Sequence, residues 1–90
     1  MSKAHVDPAD LRRFANDLKR FTVELEGLMG QLHSRMAGLE SSWRDQEQRK
    51  FAESFAQTAK SLSTFVEAAS EHAAFLNKKA TLVEQYLRQR

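Results

Sequence analysis

Apolar residues recur every seven positions through the first 40 residues of the chain. One row consists of leucines and a second row lies three positions further along: Leu11, Leu18, Leu25, Leu32 and Leu39, then Phe14, Phe21 and Leu28. Arg35 interrupts the second row. A seven-residue repeat sustained over four heptads is typical of a long helix packed lengthwise against another helix. The pattern therefore predicts a first helix over residues 8–40, within a few positions.

A second helical pattern covers the rest of the chain, which contains no Gly or Pro after residue 45. Its main apolar stripe consists of Phe51, Phe55, Leu62, Phe65, Ala69, Leu76 and Val83. Val66 widens the stripe on one side, and Phe75 and Leu82 widen it on the other. A helix that is apolar over so wide an arc requires more than one neighbour. We expect this second helix to span residues 46–88.

The connection between the two helices is short. Ser42 and Asp45 both have the spacing of helix N-caps, so the second helix begins after one or the other. Folding the chain at residues 41–45 produces an antiparallel hairpin and brings Phe21 near Phe65. We therefore predict an all-α fold in which residues 1–90 form a single helical-hairpin domain.

A lone hairpin would leave a long apolar stripe in water, which is unfavourable for a soluble protein. The simplest remedy is a second hairpin that completes a four-helix bundle. We expect the bundle core to contain Leu11, Phe14, Leu18, Phe21, Leu25, Leu28, Leu32, Phe51, Phe55, Leu62, Phe65 and Leu76. The partner is either a second copy of the chain, forming a homodimer, or a paired homologous chain, forming a heterodimer.

A row of small residues on the first helix supplies further candidate dimer contacts. Gly27 and Gly30 each cost up to about 1 kcal/mol relative to Ala within a helix, so they require an explanation. Close approach of a partner helix is one interpretation, and a mildly weakened, curved helix is the other. Val66, Phe75 and Leu82 are the candidate dimer contacts on the second helix.

Composition narrows the classes of function. The chain has no Cys, which excludes disulfides and thiolate metal sites, and its formal net charge is +2. Neither a catalytic constellation nor a phosphate-binding loop is recognisable, so we expect no enzyme activity, no cofactor and no metal. No apolar run is long enough to span a membrane, and Met1–Asp10 lacks the apolar core of a cleavable signal peptide. Acidic residues interrupt the basic residues near the C-terminus, and we expect no nucleic-acid partner.

The only Trp of the chain lies in the sequence SSWRD, at the predicted tip of the hairpin. In one interpretation, Trp43 covers the open end of the helix pair by packing on Leu39 and Phe51. In a second, more specific interpretation, Trp43, Arg44 and Asp45 also form a docking surface for another protein.

The segment LESSWRDQEQRKF, the chain length and the two long helices together resemble the WXG superfamily. These are the early-secreted-antigen-like helical hairpins of type VII secretion. The resemblance implies homodimeric or heterodimeric four-helix bundles, and transport through a membrane ATPase without a cleavable signal. Two positions depart from the family pattern: Asp45 replaces the Gly of Trp-X-Gly, and Arg90 replaces the acidic residue expected four positions after Tyr86.

Two functional hypotheses follow. The first is a dimeric interaction protein that is a substrate or partner in a type VII-like secretion route, with a secretion ATPase as a candidate partner. The second is a cytoplasmic coiled-coil adaptor or structural dimer with no role in export. The protein is accordingly expected in the cytoplasm or outside the cell.

Overall fold

The computed structural model of the chain describes residues 6–89, so Arg90 lies outside it. Helix α1 spans Pro8–Glu40 and helix α2 spans Gln46–Arg88, with 33 and 43 residues. The two helices run antiparallel in a rod of 68 × 21 × 15 Å. No strand is present among residues 6–89. The predicted all-α hairpin is therefore confirmed.

Both helices begin at an aspartate. The side chain of Asp7 accepts a hydrogen bond from the backbone N–H of Ala9, and Pro8 occupies the first helical position. The side chain of Asp45 accepts one from the backbone N–H of Gln48. Each carboxylate accepts a hydrogen bond from an N–H that lacks a partner within the helix. Its negative charge also interacts favourably with the positive end of the helix dipole. Of the two candidate caps for α2, the structure therefore uses Asp45 and not Ser42.

The seam, the line of contact between α1 and α2, is built mainly from small residues. Its buried apolar members are Ala15, Val66, Ala69, Ala73 and Ala80, and its buried polar members are Thr22 and Gln48. Thr22 satisfies its hydroxyl by donating to the carbonyl oxygen of Lys19 at 2.8 Å. No large side chain among residues 6–89 is fully buried. Alanine allows two helices to approach closely, but each alanine removes little apolar area from water.

The second apolar row of α1, Phe14, Phe21 and Leu28, does not lie in the seam, where the heptad pattern suggests it. In the folded hairpin, α1 contributes two rows of residues to the seam. The first row is Leu11, Leu18 and Leu25, and the second lies four positions later: Ala15, Thr22 and Met29. All six residues are buried or half-buried. Phe14, Phe21 and Leu28, which precede Ala15, Thr22 and Met29 by one position, are 57, 51 and 56% exposed. Leu32 is 50% exposed as well. Because both alternatives preserve the seven-residue repeat, periodicity alone does not choose between them.

The seam divides the surface of the hairpin into two flanks. The aromatic flank comprises four large apolar residues: Phe14, Phe21 and Leu28 of α1 with Phe65 of α2. Phe75 and Leu82 follow the buried Ala73 and Ala80 by two positions, which places them on the outer face of α2, away from the seam. The polar flank is marked by an interhelical contact from Arg12 to Glu84. Arg12 follows Leu11 of the seam whereas Phe14 precedes Ala15, and helical geometry turns these two side chains to opposite sides.

Candidate functional site at the hairpin tip and on the aromatic flank

The turn at residues 41–45 is held by hydrogen bonds to the last turn of α1. The backbone N–H groups of Ser42 and Trp43 both donate to the carbonyl oxygen of Leu39, at 3.1 and 2.9 Å. The hydroxyl of Ser41 donates to the carbonyl oxygen of Gly38 at 2.6 Å. These bonds satisfy carbonyls that the end of a helix leaves without partners. The backbone conformation at Trp43 is therefore held by hydrogen bonds.

Trp43 begins a row of aromatic rings, the tip cluster, which consists of Trp43, Phe51 and Phe55. The Trp43 and Phe51 ring centroids are 5.8 Å apart, and those of Phe51 and Phe55 are 6.1 Å apart. Trp43 and Phe55 are half-buried, while Phe51 is 44% exposed. Offset contacts at this spacing stabilise aromatic pairs beyond the area they bury. The tip thus presents a supported aromatic surface, with Arg44 exposed beside it.

A second contact ties the two helix ends together behind the tip. The side-chain amide of Gln48, which is only 7% exposed, donates to a carboxylate oxygen of Glu40 at 3.2 Å. Gln48 also supplies the backbone N–H that Asp45 caps. One residue therefore joins the end of α1, the turn and the start of α2. Sequence spacing did not indicate this contact, because it depends on the register between the helices.

A shallow groove of about 340 Å³ lies near the tip between the two helices. Small and apolar residues form most of its lining, which comprises His33, Met36, Ala37, Glu40, Ala52, Phe55, Ala56 and Ala59. Its two titratable residues, His33 and Glu40, are both exposed. The groove therefore offers a mainly apolar contact surface.

The aromatic flank is organised around one ring pair. The ring centroids of Phe21 and Phe65 are 6.1 Å apart with the planes at 89°, an edge-to-face contact across the two helices. This contact confirms the proximity expected from folding the chain at residues 41–45. Phe21 and Phe65 are nevertheless 51 and 46% exposed. Large apolar residues are thus grouped on one side of the hairpin with much of their surface in water.

The predicted dimer contacts occupy three different environments. Val66 is 8% exposed and lies in the seam, so its side chain is already covered by α1. Gly27 and Gly30 lie on the outer side of α1, where an added Cβ would meet no atom within 4 Å. Phe75 and Leu82 lie exposed on the outer face of α2, two positions after the buried Ala73 and Ala80. The two glycines are thus not required by packing within the hairpin.

The polar flank carries the one interhelical ion pair among residues 6–89. A guanidinium nitrogen of Arg12 lies 2.7 Å from a carboxylate oxygen of Glu84, and Arg12 also donates to the Thr81 hydroxyl at 3.0 Å. The hydrogen bond from Arg12 lowers the pKa of Glu84 from its ordinary value of 4.5. The same bond raises the pKa of Arg12. Both side chains are about two-fifths exposed, so the pair is well hydrated.

Neither a metal site nor a membrane span is found in the described part of the chain. Within residues 6–89, no group of His, Asp and Glu side chains is arranged to hold a metal ion. Neither α1 nor α2 contains a stretch apolar and long enough to cross a bilayer. The features left to explain are the tip cluster and the aromatic flank.

Residues 3–86 match the WXG100 family, described as proteins of 100 residues with WXG. The chain belongs to this family. The match covers both helices almost completely and includes Trp43. No curated protein matches the chain.

Solved structures of EsxB, described as a secreted protein from Bacillus anthracis strain Sterne, have the same fold. The wild-type EsxB structure superposes with a TM-score of 0.81 at 22% identity, over 92% of this chain and 89% of that one. A selenomethionine-labelled EsxB structure gives a TM-score of 0.81 at 21% identity, over 96% and 98% of the two chains. Both similarities show that this chain shares the fold of those structures.

The backbone explains how this WXG100 protein accommodates Asp45 where the family name indicates Gly. Asp45 has φ −88° and ψ −175°, an extended conformation open to any residue. No residue of 6–89 has a positive φ. Glycine is therefore not required at this position for conformational freedom. Asp45 adds a side-chain cap that Gly cannot supply.

Proposed function

We propose that this WXG100 protein is a non-enzymatic interaction module linked to type VII-like secretion, as a substrate or as the partner of one. In this proposal, its aromatic flank is covered by a second helical hairpin, and the tip cluster is recognised by the secretion machinery. The observation that carries the proposal is the exposure of Phe14, Phe21 and Phe65, grouped around the Phe21–Phe65 ring contact on one side of the rod. Membership of the WXG100 family supports the secretion role.

The proposed pairing follows from the way apolar area is distributed. The hairpin seam buries mainly alanine, while several large side chains remain about half in water. Complete burial of a Phe side chain contributes roughly 1.5–3 kcal/mol relative to full exposure. A second hairpin on the aromatic flank would therefore recover an amount comparable to a large part of the stability of a small domain.

The proposed role of the tip rests on support for Trp43 from both sides. The turn hydrogen bonds hold its backbone and Phe51 supports its ring, yet the ring stays half-exposed. A rigid, partly exposed Trp is the kind of residue that dominates protein–protein contacts. A secretion ATPase is the candidate partner for this surface.

Export measured in the bacterium that encodes the chain tests the proposal. Tagged protein should appear in the culture medium, and its export should stop when the type VII ATPase is deleted. Trp43→Ala should reduce export at least severalfold with helicity retained by circular dichroism, whereas Trp43→Phe should retain more export because a ring still packs on Phe51. Val23→Ala is a matched control, since Val23 is exposed and lies far from the turn.

The alternative function is a coiled-coil adaptor that stays inside the cell. Arg90, where the secreted members carry an acidic residue after their Tyr, is the observation that favours it. If the tagged chain stays in the cell while an established substrate of the same system is exported, the adaptor replaces the secretion role.

A further inference from the structure

A second groove on the hairpin continues the shallow groove near the tip. It encloses about 300 Å³ and is lined by Glu26, Met29, Ser63, Val66 and Glu67. Met29 precedes Met36 of the first groove by one heptad, and Ser63 follows Ala59 of the first groove by about one helical turn. The two grooves therefore follow one another along the rod between α1 and α2, and we call them together the double groove.

The double groove lies on the polar flank. Glu26 and Glu40, which line it, follow Arg12 by two and four heptads. On α2, Ser63 precedes Glu84 by three heptads. Residues separated by whole heptads stay on the same side of two helices that pack lengthwise, and Arg12 and Glu84 form the ion pair that marks the polar flank. A second hairpin on the aromatic flank would therefore leave the double groove uncovered.

Short side chains line the double groove on both helices. Ala52, Ala56 and Ala59 belong to its α2 side near the tip, and Ala37 belongs to its α1 side. Gly30 precedes Ala37 by one heptad, and a Cβ added to it would meet no atom within 4 Å. Packing inside the hairpin therefore gives no reason for a helix-weakening glycine at this position. Short side chains on both sides of a groove allow a further helix to approach closely.

The double groove also has the length of a short helix. At about 1.5 Å per residue, the stretch of α1 from Glu26 to Glu40 is about 21 Å long, which equals about four helical turns. Met29 and Met36 are half-buried in the lining and provide a flexible apolar surface. The shape therefore fits a third helix laid along α1 and α2.

The charges along the double groove are mainly negative. On this side of residues 26–40 and 52–67, the charged residues are Glu26, Glu40, Glu53, Lys60 and Glu67. Four carboxylates and one ammonium group give this stretch a net charge of −3, with His33 neutral. Lys19 and Arg49 lie beyond its two ends. Among residues 6–89, none of the four glutamates takes part in an ion pair, so their charge is available to a partner.

We propose that the double groove is a docking site for an amphipathic helix of another protein, one that carries lysine or arginine beside its apolar stripe. The length and the short side chains favour a helix. The negative charge favours basic residues, since opposite charges across an interface assist association. A helix of about four turns covers less area than a standard interface, so we expect binding in the micromolar range. The proposal goes beyond the pairing and secretion roles proposed above, because it concerns the opposite flank.

Nuclear magnetic resonance of the methionine methyl groups in the full chain tests the proposal. Two of the three methionines line the double groove, so their methyl signals report on its occupancy. The probe is a synthetic helical peptide of about 18 residues with a stripe of leucine and alanine flanked by lysines. A comparison peptide carries glutamate in place of every lysine. The lysine peptide should shift the signals of Met29 and Met36, and the glutamate peptide should bind at least about tenfold more weakly.

Glu67→Lys and Glu71→Lys form a matched pair of variants with the same change of charge. Glu67 lines the double groove, whereas Glu71 lies two positions before the buried Ala73, on the outer face of α2, and both glutamates are exposed. Glu67→Lys should lower the affinity for the lysine peptide by at least about tenfold, and Glu71→Lys by less than about twofold. Ala56→Gln tests the shape without a change of charge and should lower the affinity severalfold, whereas Ala74→Gln, at an exposed position outside the groove, should not. Circular dichroism checks that every variant keeps its helicity.

Several results would overturn the proposal. A lysine peptide that shifts neither methyl signal at millimolar concentration rules out docking in the double groove. Equal binding of the two peptides, or equal effects of Glu67→Lys and Glu71→Lys, would show that the attraction is not specific to this site. Methyl signals that shift on dilution of the chain alone would show that a second copy covers the groove. None of these results concerns export or the aromatic flank, so they are distinguishable from a failure of the proposed function.

Discussion

The seam and the aromatic flank use apolar residues of different size for different purposes. Ala15, Ala73 and Ala80 in the seam are at most 2% exposed, whereas Phe14 and Phe21 on the flank are 57 and 51% exposed. Small residues let the two helices run close together over their whole length, but they bury little area. The larger apolar side chains remain exposed on the surface of the hairpin. In the proposed function, a second hairpin covers them.

This difference has an energetic consequence. The fully buried positions of the hairpin are mainly alanine and its seam leucines are only partly buried, so a single hairpin supplies limited hydrophobic free energy against the entropy of ordering the chain. Its stability should depend on what covers the aromatic flank. The same division of residues thus links folding to association.

The largest effect is expected from breaking the seam itself. Ala73→Leu should destabilise the hairpin by roughly 1–3 kcal/mol, because the added carbons must push α1 and α2 apart. Ala74→Leu is the matched control, since Ala74 is exposed on the next position of the same helix. Thermal unfolding followed by circular dichroism measures both. Equal midpoints for the two variants would contradict the close approach of the helices.

A flank substitution should act mainly through association. Phe14→Ser removes a ring that is 57% exposed in the hairpin, so its effect on a dilute, unpaired chain should be about 1 kcal/mol or less. At a concentration where the wild type is paired, the loss should grow to about 1–2 kcal/mol per chain. Urea unfolding at two protein concentrations measures the difference. A loss that does not change with concentration would contradict association through the aromatic flank.

The smallest effect is expected on the polar flank. Because Arg12 lowers the pKa of folded Glu84, the pair adds stability at pH values above the ordinary carboxyl pKa of 4.5 and loses it as pH falls through the lower, folded value. Glu84→Gln should therefore cost a little at neutral pH and nothing in strong acid. Salt should reduce the cost. Unfolding curves of both proteins from pH 7 to 2 check this, and a difference that increases on acidification would contradict it.

The elements themselves could be predicted because their signals are local. Asp7 followed by Pro8 starts α1, and the absence of Gly and Pro after residue 45 lets α2 continue to Arg88. The start of α2 was ambiguous, since Ser42 and Asp45 have equivalent cap spacing. The structure resolves this through the Asp45 bond to the N–H of Gln48.

The candidate site was only partly predictable. Trp43 stood out as an aromatic residue in a turn, and its contact with Phe51 follows from their eight-residue separation around that turn. The bond between Glu40 and Gln48 and the ion pair between Arg12 and Glu84 had no such signal. Both contacts join residues of different helices. They depend on the register between α1 and α2, which decides which residues of the two helices lie opposite each other.

By itself, the sequence determined two long helices, one turn with a Trp, and more apolar surface than one hairpin can cover, because repeats, caps and turns depend on neighbours along the chain. Only the tertiary structure decided which apolar rows meet. Leu11 could share the seam with Phe14 or with Ala15, and both choices keep the heptad repeat. The folded chain places Ala15 inside and Phe14 outside, since close approach along the whole seam requires small residues on both helices.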